Sequence, residues 1–287
     1  MGTAKLPLRD TITHAYSSYM EYSSYVENFS DVLRISWLWL AIIVPLSIVG
    51  SWMEVSGIAG VTNRLTPGTH LESSPGTTAV SLILTLIVAL AAISIAVAWH
   101  RRLILGESPR ASGSNLISNS LWRYLGAGVL ITLIAILPSI IAIAAVFLLT
   151  SSHRAGDGAS LIVSLVPFLL WMVTYGIALR LSLVLPARAV TNLTLSFKQA
   201  WADTRGNTWR LFWGTVACAF LPLCVLPILL ALVEAYNPNS FTAGSAVVID
   251  TLSTFYTLLV LPIGIGFLSF AYRHFVGPVS RAARPEG

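Results

Sequence analysis

The chain has 287 residues, of which 55% are hydrophobic and only 10% are charged, whereas soluble domains carry about 25% charged residues. So few charges cannot cover a water-facing surface, and this excludes an ordinary soluble protein. The net charge of +5 does not indicate nucleic-acid binding, because the basic residues cluster at the ends of apolar runs, as membrane topology requires.

The first segment, residues 1–34, is polar and rich in tyrosine, so it predicts an amphipathic cytoplasmic segment and not a cleavable signal peptide. Asp10 or Thr11 could cap a helix over residues 10–31. Anchoring at the lipid surface and a partner-binding face are both open for this helix. Its aromatic stripe would consist of Tyr16, Tyr19, Tyr22, Val26 and Phe29.

Six apolar runs follow, and most approach or exceed the roughly 20 residues that cross a hydrocarbon core. They should be helical, because a backbone inside a bilayer must satisfy its own hydrogen bonds, and none alternates like a barrel strand. The predicted fold is all-α, with a six-helix transmembrane domain over residues 35–272 and a cytoplasmic tail over 273–287. The predicted spans are 35–52, 78–99, 125–149, 161–185, 211–233 and 247–272.

The distribution of lysine and arginine predicts the orientation. Fourteen of the seventeen lie on the side of the two termini, two lie on the other side (Arg64 and Arg154), and Arg180 lies inside span four. By the positive-inside rule both termini are cytoplasmic. The fourteen are Lys5, Arg9, Arg34, Arg101, Arg102, Arg110, Arg123, Arg188, Lys198, Arg205, Arg210, Arg273, Arg281 and Arg284.

Two cytoplasmic connections are also amphipathic. In residues 193–210, Leu193, Phe197 and Trp201 recur every four residues, which aligns them on one helical face. This pattern predicts a helix over 193–205 on the inner leaflet, ended by Gly206-Asn207. Residues 115–124 form a shorter piece of the same kind before span three. Lipid anchoring and partner binding are open here too.

Proline occurs in every predicted span except the second. Spanning helices tolerate proline in general, but kinked helices can also line a transport pathway. Pro222 and Pro227 in span five predict a bend in that helix.

Arg180 is an ionisable residue within a span, which makes it a candidate functional residue. It lies five residues before Leu185, about 7–8 Å from the inner end of span four. Snorkelling, a structural hydrogen bond, and contact with a lipid phosphate or a solute are the alternatives. Arg205 and Arg210 in the next connection are further candidate contacts for lipid or solute.

The sequence contains no catalytic constellation: HExxH, CxxC, GxSxG and a phosphate-binding glycine loop are all missing. No histidine pair has metal-ligand spacing on one element. Cys218 and Cys224, six residues apart on a helix, face different directions and predict buried small hydrophobes, not a disulfide. We therefore expect no cofactor, no metal and no enzymatic activity.

The fourth span and its following connection resemble a bacterial six-span inner-membrane group. The matching stretches are RLSLVLPA at 180–187, Phe197, Ala200-Trp201 and TRGNTWR at 204–210, with AWHRRLILGE at 98–107. The group is similar to the membrane domain beside glycerophosphodiester phosphodiesterases and to YciC-type proteins. The resemblance implies a bacterial inner membrane and six spans. The phosphodiesterase domain itself is missing, so its activity is not implied.

Three classes of function remain open. The favoured one is a non-enzymatic scaffold or envelope-homeostasis protein, because of the amphipathic connections and small loops. The alternative is a transporter, channel or lipid-handling protein, which the proline-rich spans and Arg180 favour. A membrane-embedded enzyme is the least favoured. Expected partners are membrane lipids and other membrane proteins, and no nucleic acid.

Overall fold

The computed structural model describes residues 5–20, 25–62, 75–108, 118–152, 169–170, 172–236 and 243–277. These residues are almost entirely helical and contain no strand, so the all-α prediction is confirmed. The elements are α1 (Leu8–Met20), α2 (Tyr25–Thr62), α3 (Pro75–Leu105), α4 (Asn119–Ser152), α5 (172–181), α6 (Val184–Ala189), α7 (Phe197–Asp203), α8 (Thr208–Thr215), a π-helical turn (Val216–Phe220), α9 (Leu221–Tyr236) and α10 (Ala243–Val276).

Six helical stretches among the described residues are long and apolar enough to cross a membrane. The chain is therefore a multi-pass membrane protein. The stretches are Ser30–Trp52, Thr78–Leu105, Asn119–Leu137, Met172–Ala189, Thr208–Leu232 and Val247–Val276.

The helices extend beyond the predicted spans at the end of the bundle that carries the basic residues, here called the basic end. α3 continues to Leu105, and α4 begins at Asn119. Helical hydrogen bonding does not stop where the apolar run stops, so boundary arginines and tryptophans remain helical. Residues 161–168 of the predicted fourth span lie outside the described residues.

Two buried clusters hold the bundle together. The first is built on α2, α3 and α10, with Ile35, Ile95 and Leu258 at its centre. The second joins α1, α5, α6 and the start of span five to the end of α10, around Leu183, Leu211 and Phe267. Other faces are exposed and apolar, as on α4 and α9, which suits contact with lipid.

The helix predicted over residues 10–31 is wrong in its bounds. Pro7, whose fixed φ suits a helix start, precedes α1, which begins at Leu8 and ends at Met20. A separate helix, α2, begins at Tyr25 and runs through the predicted domain boundary at 34. Thr11 is buried inside α1 and its hydroxyl donates to the Pro7 carbonyl (2.9 Å), so neither Asp10 nor Thr11 caps the helix. The side chains of Tyr19, Tyr22, Val26 and Phe29 lie outside the described residues.

The helix predicted over residues 193–205 is shorter than expected. α7 covers only Phe197–Asp203, because the Ser196 hydroxyl accepts a hydrogen bond from the Gln199 N–H (3.1 Å) and caps the helix there. Gly206, at a φ of 79°, follows the helix, as the sequence predicts. Residues 119–124 of the other predicted piece are the first turns of α4, and 115–117 are not described. The placement of α7 on the inner leaflet stays a prediction.

Candidate functional site

Arg180 ties the end of α5 to α7. Its Nε donates to the Thr204 hydroxyl (3.2 Å), and its Nη2 donates to the Trp201 carbonyl. The guanidinium also lies over the Trp201 ring, 3.5 Å from the ring centroid, a favourable cation–π arrangement. Thr204 is buried and donates to the Ala200 carbonyl (2.8 Å). Two sequence segments of the resemblance are therefore joined by one side chain.

Arg210 and Asn207 hold the N-terminal segment. The Leu6 N–H donates to the Asn207 Oδ1 (2.9 Å), and the Arg210 Nη1 donates to the Leu6 carbonyl (2.5 Å). Leu6 itself is fully buried. Both polar groups of one backbone residue are thus satisfied from the start of span five, some two hundred positions away along the chain.

Side-chain hydrogen bonds also stabilise the connection between α6 and α7. Arg188 donates from Nη1 to the Asn192 carbonyl (3.2 Å) and from Nη2 to the Leu195 carbonyl (3.3 Å). The Asn192 amide donates to the Tyr272 hydroxyl on α10 (2.9 Å). We call residues 180–210 together with Leu6 the basic platform.

The three predicted site residues therefore differ in their surroundings. Arg180 and Arg210 bind carbonyl and hydroxyl groups of the chain itself, whereas Arg205 is exposed beside the end of α7. The structural hydrogen bond that the sequence allowed for Arg180 is present. Contact of any of the three with lipid or solute stays a prediction.

The basic platform itself carries exposed tryptophans and cations. Trp209 is 64% exposed and Trp201 40% exposed, and Lys198 and Arg205 are exposed close to them in sequence. Amphipathic indole rings favour the headgroup region, and cations there attract anionic lipids. Burial raises the pKa of the Asp203 carboxyl on α7 above its ordinary value.

Sequence reasoning missed the role of Tyr16. Its hydroxyl donates to the Ala217 carbonyl in the π-helical turn (2.7 Å). In π register the donor to this carbonyl would be residue 222, which is proline and has no N–H. Tyr16 supplies the missing donor, and burial raises the pKa of its hydroxyl. The sequence pattern places Tyr16 only in an aromatic stripe.

A second tyrosine contacts the same irregular region. The Tyr256 hydroxyl on α10 donates to the Pro222 carbonyl (2.5 Å). The helical irregularity of span five is the π-helical turn that ends just before Pro222. The sequence near Pro222 does not indicate that Tyr16 and Tyr256 bind there, because both tyrosines are far from it along the chain.

An ion pair at the basic end was also missed. Arg102 on α3 pairs with Asp31 on α2, and both side chains are largely shielded from solvent. The only indication of this pair in the sequence is that an acidic residue and a basic residue lie near the ends of two consecutive spans.

The described residues hold no group of three or more His, Cys, Asp or Glu side chains that could bind a metal ion. Cys218 and Cys224 are both free, as predicted, and Cys218 is buried as predicted, but Cys224 is only half-buried. In comparisons with known proteins, the chain matches no family model, no curated protein and no solved structure with significance.

Proposed function

We propose that this multi-pass membrane protein is a non-enzymatic scaffold of the bacterial inner membrane, with both termini in the cytoplasm. One observation carries the proposal most: Arg180, Arg188 and Arg210 of the basic platform donate hydrogen bonds to backbone carbonyls of the same chain. These hydrogen bonds to charged donors hold α5, α7, α8 and the N-terminal segment in one arrangement. A surface held in this way is suited to presenting a constant shape to partners.

The exposed side chains of the basic platform indicate which partners it would bind. Its exposed tryptophans suit the headgroup region, and Lys198 and Arg205 suit anionic phospholipids. The proposed arrangement binds anionic lipid around the basic platform and other membrane proteins against α7. Arg205 is the residue of the three candidates whose exposure suits direct contact with a lipid phosphate.

The cellular placement has separate support. The fourteen-to-two distribution of basic residues favours cytoplasmic termini. The bacterial inner membrane is supported by the resemblance of residues 180–210 and 98–107 to the six-span bacterial group, to which we propose the chain belongs.

Photo-crosslinking in native membranes tests the proposal. A photoreactive amino acid at Lys198, exposed on α7, should give protein adducts of discrete mass. The same group at Leu133, which is 59% exposed on α4 within span three, should give lipid adducts only. Arg180→Leu should weaken the Lys198 adducts, because it releases α7 from α5.

The opposite outcome is also defined. Lipid adducts alone at Lys198, together with movement of phospholipid or solute across liposomes that contain the purified protein, would replace the scaffold with a transport or lipid-handling protein.

A further inference from the structure

Four buried polar atoms in the core of α2, α3 and α10 have no hydrogen-bond partner among the described residues. They are Ser36 Oγ, Trp39 Nε1, Trp99 Nε1 and His100 Nε2. Ser36, Trp99 and His100 are fully buried, and Trp39 is 5% exposed. Buried polar atoms are almost always hydrogen-bonded, so four unpaired ones on two helices that pack together indicate a bound polar group.

The packing of α2 against α3 places these four residues at similar depths in the bundle. The helices are antiparallel, with Asp31 paired to Arg102 at the basic end and a Cβ on Gly50 falling 3.4 Å from Leu84 near the other end. In this register the four residues lie within about 8 Å along the bundle axis, at 1.5 Å per residue.

The directions of the two indoles bring them closer still. Helical side chains lean toward the N-terminus of their own helix. Because α2 and α3 run in opposite directions, Trp39 leans toward the basic end and Trp99 leans away from it. Both therefore lean toward the level of Ser36, between their own positions.

The hydrogen bond of His100 determines what kind of group fits. The Ser269 hydroxyl donates to the Ile265 carbonyl (2.9 Å), so it accepts from His100 Nδ1–H (2.7 Å). In the neutral ring Nε2 then carries a lone pair and accepts. The cluster offers two indole donors, one acceptor, and a serine hydroxyl that can do either.

A small neutral group that both accepts and donates complements this set, and a charged group does not. A carboxylate or phosphate anion would present lone pairs to the lone pair of Nε2. An ammonium cation would present protons to the indole N–H groups. A neutral hydroxyl can accept from the indoles and donate to Nε2 at the same time.

We propose that Ser36, Trp39, Trp99 and His100 form an internal site for a small neutral hydroxyl compound, supplied by water or by a small polyol. The site lies between the Asp31–Arg102 ion pair and the hydrogen bond from Ser51 to Asp250 (2.5 Å) near the far end of the bundle. It is separate from the basic platform and does not depend on the proposed scaffold function.

NMR of the full chain in lipid nanodiscs, with ¹⁵N-labelled tryptophan, tests the site. Trp39→Phe and Trp99→Phe identify the two indole signals. In buffer without polyol, both indole protons should show magnetisation transfer from water. With added glycerol, transfer from glycerol protons would instead identify a polyol as the occupant. Either source supports a hydroxyl site, and no transfer from either to these two protons would overturn it.

Thermal stability in detergent provides a second, independent measurement. With a bound hydroxyl, Ser36→Ala should lower the Tm and weaken the indole transfer signals, because it removes one partner of the occupant. The matched control is Ser47→Ala, which removes a buried hydroxyl already bonded to the Ile43 carbonyl (2.8 Å) and should leave both indole signals intact. A rise in Tm for Ser36→Ala would mean a dry, unpaired hydroxyl and would reject the site.

Discussion

Single polar residues in this chain act over long sequence distances. Arg180 and Tyr16 each donate to a carbonyl on another element, and neither partner lies on the same helix. Their effect on stability can be measured one side chain at a time.

Arg180→Leu should lower the free energy of unfolding by about 1–3 kcal/mol, because it removes two charge-assisted hydrogen bonds and the stacking on Trp201. The free energy of unfolding of Arg180→Lys should lie between those of Arg180→Leu and wild type, since lysine keeps the charge and loses the planar guanidinium. Thermal unfolding in detergent measures both, with Lys198→Leu as the control for an exposed cation. Equal Tm values for all four proteins would show that Arg180 contributes nothing to stability.

Tyr16→Phe should lower the free energy of unfolding by about 1 kcal/mol at neutral pH, because the Ala217 carbonyl loses its hydrogen-bond donor. Burial raises the pKa of Tyr16 above its ordinary value of 10.0, so the unfolded chain ionises first as the pH rises. The contribution of the hydroxyl is complete below pH 10.0 and is lost as the pH rises through the folded pKa. The difference in the free energy of unfolding between wild type and Tyr16→Phe should therefore become smaller in alkaline solution.

Unfolding measured from pH 7 upward follows this difference. Ser17→Ala, which removes an exposed hydroxyl bonded within α1, is the control and should show no such trend. A constant difference between wild type and Tyr16→Phe at all pH values would contradict the assignment.

At the scale of elements, small residues let span five approach α10. A Cβ on Gly214 would lie 2.0 Å from the Phe267 ring, and one on Gly264 would lie 2.9 Å from the Ala219 Cβ. Phe267 is only 2% exposed, so its ring cannot move aside. The contact flanks the π-helical turn and holds that turn against α10.

Gly214→Ala should therefore destabilise the protein by about 1–3 kcal/mol through overpacking. Gly126 on α4 supplies the control, since a Cβ there meets nothing within 4 Å. Gly126→Ala should be neutral or stabilising by up to about 1 kcal/mol, because alanine favours a helix. Similar Tm values for the two variants would mean that the contact with Phe267 is looser than the structure shows.

At the scale of the whole molecule, the charge distribution predicts one orientation in the membrane. Reporter fusions before Lys5 and after Gly287 should both be cytoplasmic, and a fusion at Gly68 should be on the opposite side, because of the fourteen-to-two asymmetry. Paired enzymatic reporters that are active on only one side measure this. A cytoplasmic signal from Gly68 would make the topology wrong.

The sequence by itself determined the all-α class and the six spans, because hydropathy and backbone hydrogen bonding in lipid are local requirements. It also predicted the glycine that follows α7. The span ends and the bounds of α1 and α7 were less accurate, since the caps depend on individual residues such as Ser196.

Only the tertiary structure decided the partners of the polar residues. Leu6 meets Asn207 and Tyr16 meets Ala217, and no local pattern links residues so far apart. A buried polar group takes whichever partner the packing of the helices brings within reach. The candidate Arg180 was therefore visible in the sequence, while its binding to Thr204 and Trp201 was not.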